Sequence, residues 1–335
     1  MKTERIEFID LAKGFCIILV VMHHAAMYAN IDNFDNYDFL KNCRIPLYFC
    51  LSGIFYKTYD GFFDFAKRKI NKLLIPFIFF YLVLSCSFPF IFYKLGIDCY
   101  EGYFGGRNIF YHYFVDDDLW FNGPIWFLLC LFVMNIIYYP IEKYLRNKSV
   151  VKLIVTILLG CIGYSMYLFE VRNAFYIGTA LTSIPFFAFG SMLRQKTSML
   201  VSQPLKPIYI FSIVFLSIIL LFPVSGLANY HVNKYAIPLY LCYYCGIIGT
   251  VAILLLAKSM GRLLVISRIG KYSIITLCIH YEIQRFLALL IPGEFSCYLK
   301  FSFIFIGSIL ICWSFIPVFC KYLPWAVAQK DILKK

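Results

Sequence analysis

The chain has 335 residues, of which 61% are apolar and only 15% charged, with a mean hydropathy of +0.76. A soluble globular domain is roughly 45–50% apolar and about 25% charged, so the composition excludes an ordinary soluble enzyme, a secreted disulfide scaffold and a disordered chain, and it leaves a polytopic membrane protein. The net charge of +13 would raise nucleic acid as a partner of a soluble protein; in an apolar chain it reads as membrane orientation, and no nucleic-acid partner is expected.

A helix needs about 20 mainly apolar residues to cross the bilayer core. In chain order the candidate spans are 13–29, 44–57, 73–93, 122–141, 150–169, 173–193, 207–225, 236–257, 271–291 and 301–320. The second is short and holds Pro46 and Gly53, so it is expected to be broken, tilted or lined partly by protein rather than lipid. The runs are long and continuous, unlike the roughly 10-residue alternating strands of an outer-membrane barrel. The expected fold is all-α: a single integral-membrane domain over residues 1–335, a helical bundle of about ten spans.

An even number of spans puts both termini on one side. If that side is cytoplasmic, most of the 31 Lys and Arg residues fall inside, and the positive-inside rule therefore places both termini in the cytoplasm. The outer loops agree, with Asp32, Asp35 and Asp38 in the first and Asp98, Glu101, Asp116, Asp117 and Asp118 in the second. The second, about 94–121, is rich in Tyr and Phe and could fold over the outer mouth. The Asn147-Lys148-Ser149 sequon falls on the cytoplasmic side, and no cleavable signal peptide is evident in the first apolar run. The 13 cysteines are scattered, mostly through apolar runs. Cys242 and Cys245 form a C-x-x-C with no second Cys/His pair nearby, so no metal is predicted.

Ionisable groups inside a span are costly and are functional candidates by default. His23, His24, His280 and the Glu282/Arg285 pair stand out. His24 is 11 residues past Lys13, and His280 is 9 past Lys271. At 1.5 Å per residue they sit about 16 Å and about 14 Å deep, near the middle of a roughly 30 Å core. Matched depth on two spans points to a shared polar cavity. One histidine could act as a general base on a hydroxyl, or each could be a packing residue hydrogen-bonded across the bundle. His23 points about 100° away from His24, so the two cannot both face one cavity squarely. His112 and His231 fall in outer loops and are expected to be solvated. Glu282 and Arg285 share a helix face, where they can neutralise each other or contact a substrate.

A second cluster, Lys67-Arg68-Lys69 with Lys72, precedes the third span. Arg68 and Lys72 lie four apart and share a face. Such a face suits a phosphorylated ligand, and it is equally what a positive-inside loop carries.

RIEFIDLAKGFCIILVVMHH resembles the opening of the acyltransferase family 3 membrane proteins: Arg5, Ile9-Asp10, Lys13-Gly14, and His24 with ten residues between it and Lys13. The family often has Arg where this chain has Lys13, which keeps the charge but loses bidentate geometry. IPLYFCLSGIFY resembles the family's second span through Pro46, Phe49, Ser52 and Gly53. FAKRKINKLLIPF resembles its basic segment through Arg68, Lys72 and Pro76. Trp126, Pro185 to Gly190, and Gly270, Ser273 and His280 match weaker features. The likeness covers nearly the whole chain in order.

The resemblance implies an enzyme that transfers an acyl group, often acetyl, from cytoplasmic acyl-CoA to a carbohydrate or glycolipid hydroxyl in envelope assembly, at the inner (cytoplasmic) membrane. On it, His24 is the base, and Arg68 and Lys72, with Lys13, hold the donor's phosphates. Beside it, His280 is expected to orient His24 or the donor, and Ser52, Trp126, Glu282 and Arg285 are expected at the substrate cavity. Ten spans with a midplane polar site also fit a transporter or flippase for a polysaccharide or lipid-linked precursor, and a structural subunit of an envelope complex is a third reading.

Overall fold

The computed structural model describes residues 6–31, 41–84, 122–194, 228–292 and 295–333, together with 87, 94, 211, 214, 215 and 217. The described residues form an almost wholly helical bundle. The helices are α1 (Glu7–Tyr28), α2 (Lys41–Ile54), α3 (Phe62–Lys69), α4 (Trp126–Leu145), α5 (Ser149–Leu168), α6 (Ile177–Leu193), α7 (Leu239–Met260), α8 (Leu264–Lys271), α9 (Ser273–Leu290) and α10 (Cys297–Tyr322). From α3 the chain runs on through a π-helical stretch at Ile70–Leu74, an α-helical one at Ile75–Phe79 and a second π-helical one at Phe80–Leu84. A two-residue hairpin pairs β1 (Ala228–Asn229) with β2 (Lys234–Tyr235) in antiparallel register.

Among the described residues, seven helices are long and apolar enough to cross a membrane: Glu7–Tyr28, Gly123–Leu145, Ser149–Leu168, Ala174–Leu193, Leu239–Met260, Ser273–Leu290 and Cys297–Tyr322. They coincide with seven of the expected spans to within a few residues, except that α1 starts earlier. The expected span 44–57 is a correction. Its helix has 14 residues, about 21 Å at 1.5 Å per residue, too short for a roughly 30 Å core. It is enclosed by α1, α6 and α7, so protein satisfies what lipid could not. The expected span 73–93 is described only to Leu84 and at isolated positions beyond. Most of 207–225, the acidic outer loops, His112 and both extreme termini lie outside the described residues.

Close helix approach explains part of the family-like pattern. Gly53 of α2 lies against the Phe187 carbonyl of α6, and Gly190 of α6 lies against the Cys50 carbonyl of α2. A Cβ at either position would collide with backbone, so the Ser52-Gly53 pair marks a seam between two helices. Helices α4 and α6 are largely buried, while α5, α7 and α10 turn most of their apolar surface outward. An aromatic core of Phe49, Tyr56, Phe127, Tyr138 and Phe187 ties α2, α4 and α6 together.

Candidate active site

Helices α1 and α9 pack side by side and bring His24 and His280 into contact. Nδ1 of His280 sits 2.8 Å from the Thr276 carbonyl oxygen and 3.0 Å from that of Leu277. Carbonyls only accept, so this nitrogen carries the ring proton. Nε2 of the neutral ring is then an acceptor, and it lies 3.2 Å from His24 Nδ1. His24 therefore donates through Nδ1 and keeps the lone pair of its Nε2. One helix turn of α9 thus orients a histidine on another helix, and the Val20 carbonyl, one turn back on α1, is a further hydrogen-bond partner of the His24 ring. A base whose orientation is set by a further group has the logic of nucleophile-activating pairs.

The pair is braced on both sides. Gln284 Nε2 donates to the Val21 carbonyl at 2.8 Å, one turn beyond His280, and approaches Ser308 Oγ of α10 at 3.3 Å. Asn122 Nδ2 donates to the Cys278 carbonyl at 2.6 Å. Both side chains are fully buried, and sequence reasoning picked out neither; an uncharged amide in an apolar run was the only signal.

His24 lines a cavity of about 530 Å³, and His280 stands behind it, fully buried. The other walls include His23, Lys41, Arg44, Tyr48, Trp126, Tyr230, His231 and Tyr281. The mouth lies toward the end of the bundle where α1 finishes and α2 and α4 begin. His23 shares the cavity, contrary to the expectation from a 100° offset: the space is wide enough to meet two adjacent helix faces, and the two rings lie 5.2 Å apart. His231 is a second correction. It is half-buried in the turn between β1 and β2, with its ring 5.6 Å from Trp126 and 5.8 Å from Tyr176, because the hairpin folds down over the start of α4. Arg44, the first residue of the expected span 44–57, is buried on α2 and lines the same space.

The other expected site residues are spread out. Trp126 lines the cavity. Ser52 does not; its Oγ donates to the Tyr48 carbonyl at 2.8 Å within α2. Tyr48 links the cavity to the first span's basic residue, since its hydroxyl donates to the Lys13 carbonyl at 3.3 Å. Lys13 Nζ lies 4.5 Å from the Phe55 ring centroid. Arg285 meets Glu282 at 3.4 Å and the Tyr28 hydroxyl at 3.3 Å, so these two form the local pair. Arg68 and Lys72 lie toward the opposite end of the bundle. Arg68 Nε pairs with Asp64 at 2.8 Å, and its guanidinium stacks 4.4 Å from the Tyr59 ring. Lys72 Nζ binds the Ala328 carbonyl at 2.6 Å and Asp331 at 3.1 Å.

Residues 6–317 match the family model described as an acyltransferase domain. The chain belongs to the acyltransferase 3 family. It is therefore a multi-pass membrane acyltransferase and an enzyme, and its reaction requires an acyl donor. That assignment retires the transporter and structural-subunit readings of the sequence. No curated protein and no solved structure matches this acyltransferase.

Proposed function

We propose that this acyltransferase is an O-acyltransferase of the inner membrane, moving an acyl group, acetyl in the simplest case, from cytoplasmic acyl-CoA to a hydroxyl of a cell-envelope carbohydrate or glycolipid. The observation that carries the reading is the His24–His280 hydrogen bond, with His24 on the wall of a cavity large enough for a sugar and His280 behind it. His24 Nε2 takes the proton of the acceptor hydroxyl as that oxygen attacks the acyl carbon. The new C–O bond forms, the C–S bond of the thioester breaks, and the proton passes from His24 to the departing thiolate. His280 holds the ring in register and accepts its Nδ1 proton throughout.

With both termini in the cytoplasm, the cavity mouth faces the outside, where the acceptor enters. The donor enters from the opposite end, where its phosphates exchange with Asp64 and Asp331 as partners of Arg68 and Lys72. An extended donor chain reaches His24 past Tyr48, which lines the cavity and whose hydroxyl donates to the Lys13 carbonyl. The test is transfer by the purified enzyme in detergent, from radiolabelled acetyl-CoA to a panel of envelope glycans. Label on a glycan hydroxyl, released by mild base as an ester, supports the reading; label on an amine, or none on any glycan while another acceptor class is acylated, overturns it.

A further inference from the structure

A second cavity, of about 540 Å³, lies at the bundle end that holds the start of α1. Its walls come from α1, from the short helix α8 and from α10, and they carry Arg262, Arg268 and Lys271 with Trp313. Arg262 is paired with Glu7 across the cavity at 3.2 Å. Arg268 and Lys271 instead lie against rings, at 5.5 Å from Trp313 and 4.9 Å from Tyr272. Asp10 is the other acid on the wall. Ser267, on the same wall, is only 8% exposed, and its hydroxyl has no hydrogen-bond partner among the described residues. A buried hydroxyl without a partner is costly, and this one belongs to the wall that also carries Arg268 and Lys271.

This cavity is separate from the histidine site. Gly14 of α1 lies against the Ile266 carbonyl, and Gly270 of α8 against the Asp10 carbonyl, so the α1–α8 seam admits no side chain and no ligand. Access is from the outside of the bundle. There, Leu264 and Val265 are exposed at the rim, and the apolar residues of α10 face outward. An occupant must present an anion to Arg268, Lys271 and Ser267 and apolar chain to Leu264 and Val265. A phospholipid offers both groups, a phosphate and acyl chain, at a cavity whose rim carries exposed Leu264 and Val265. Arg, Lys and Trp at the membrane boundary are the side chains that meet headgroups.

We propose that the Arg268–Lys271–Ser267 cavity binds the phosphate of an anionic phospholipid headgroup, with Leu264 and Val265 against its acyl chains. The site is independent of the acyl-transfer chemistry.

Native mass spectrometry of the full-length enzyme in detergent tests this, with phosphatidylglycerol and phosphatidylcholine offered at equal concentration. The wild-type enzyme should retain the anionic lipid preferentially. Arg268→Ala with Lys271→Ala should weaken that retention by about tenfold or more, since charge-assisted phosphate contacts are lost. Arg268→Lys with Lys271→Arg keeps both charges and should hold most of the preference, which separates ligand loss from misfolding. Lys148→Ala, an exposed cation at the start of α5, should change nothing. Undiminished preference in the double alanine variant overturns the proposal, as does equal loss in Lys148→Ala. Displacement of the lipid by coenzyme A at matched concentration also overturns it, because the phosphate bound there would then be the donor's.

Discussion

His280 accepts a hydrogen bond from His24 through Nε2 at 3.2 Å, and it can do so because the Thr276 and Leu277 carbonyls hold the proton on its Nδ1. The orienting partner in this pair is a neutral imidazole rather than a carboxylate. It fixes geometry and tautomer while adding little charge stabilisation to the protonated base.

His24 should therefore be far more sensitive than its neighbours. General base catalysis contributes about 10²–10⁴-fold, so His24→Ala and His24→Asn should both lose about that factor in kcat while still inserting and binding donor. His280→Ala should cost less, and His280→Gln, whose amide can accept from His24, should recover part of the loss. Near-normal transfer by His24→Asn would remove the base assignment.

At the other end of the bundle, Asp331 competes for Lys72. Arg68→Ala or Lys72→Ala should weaken acyl-CoA binding about tenfold to a hundredfold, as loss of a charge-assisted phosphate contact of about 1.5–3 kcal/mol would. Asp331→Asn should instead tighten it, by no more than about fivefold, because an exposed ion pair contributes about 0.2–1 kcal/mol. Donor affinity measured by isothermal titration distinguishes the two directions. Equal weakening in all three variants would make the cluster purely structural.

Lys69, on α3 just ahead of the third expected span, has its ammonium pushed down to about 8 by burial, with Nζ 5.4 Å from the rings of Tyr56 and Phe65. Its folded pKa lies below the usual lysine value of about 10.4. It is therefore charged below pH about 8 and neutral above it, and its burial favours the fold more as pH rises through that window. Competitive acylation with acetic anhydride, read peptide by peptide, should show Lys69 reaching half-maximal reactivity near pH 8.

A buried ion pair joins α4 to α5: Lys152 Nζ lies 2.6 Å from Glu142 Oε2, with Lys152 only 1% exposed. Breaking such a pair from one side costs about 3–5 kcal/mol, whereas replacing both partners by apolar residues is often neutral. Lys152→Met should lower the thermal midpoint in detergent markedly, and adding Glu142→Leu should restore most of it. An equally large drop in the double variant would mean that the pair itself, and not the orphaned carboxylate, carries the stability.

Orientation has its own check. A reporter fused after Lys335 should read cytoplasmic, and one inserted near Asp117 should read external. An external C-terminus would overturn the even-span topology and move the cavity mouth to the inner face.

The spans themselves were legible because bilayer thickness imposes a length and polarity rule on contiguous residues, and α4, α5, α6, α7, α9 and α10 follow it. The meeting of His24 with His280 was half legible: helical rise alone gives their common depth, since both count from a basic residue at the same boundary. That α1 and α9 are neighbours is a matter of packing, set by seams such as Gln284 on the Val21 carbonyl. The 14-residue α2 escaped the rule because protein, not lipid, surrounds it. His231 and Arg44 became cavity walls only through tertiary structure: a hairpin folding over Trp126 and a helix enclosed by its neighbours bring together residues that no period relates. Charge pattern likewise marked Arg68 and Lys72 as cations at a boundary, but only the returning C-terminal segment decides that Lys72 faces Asp331. Local physics acts along the chain and can be read from it; which faces close on one another depends on how all the helices pack at once.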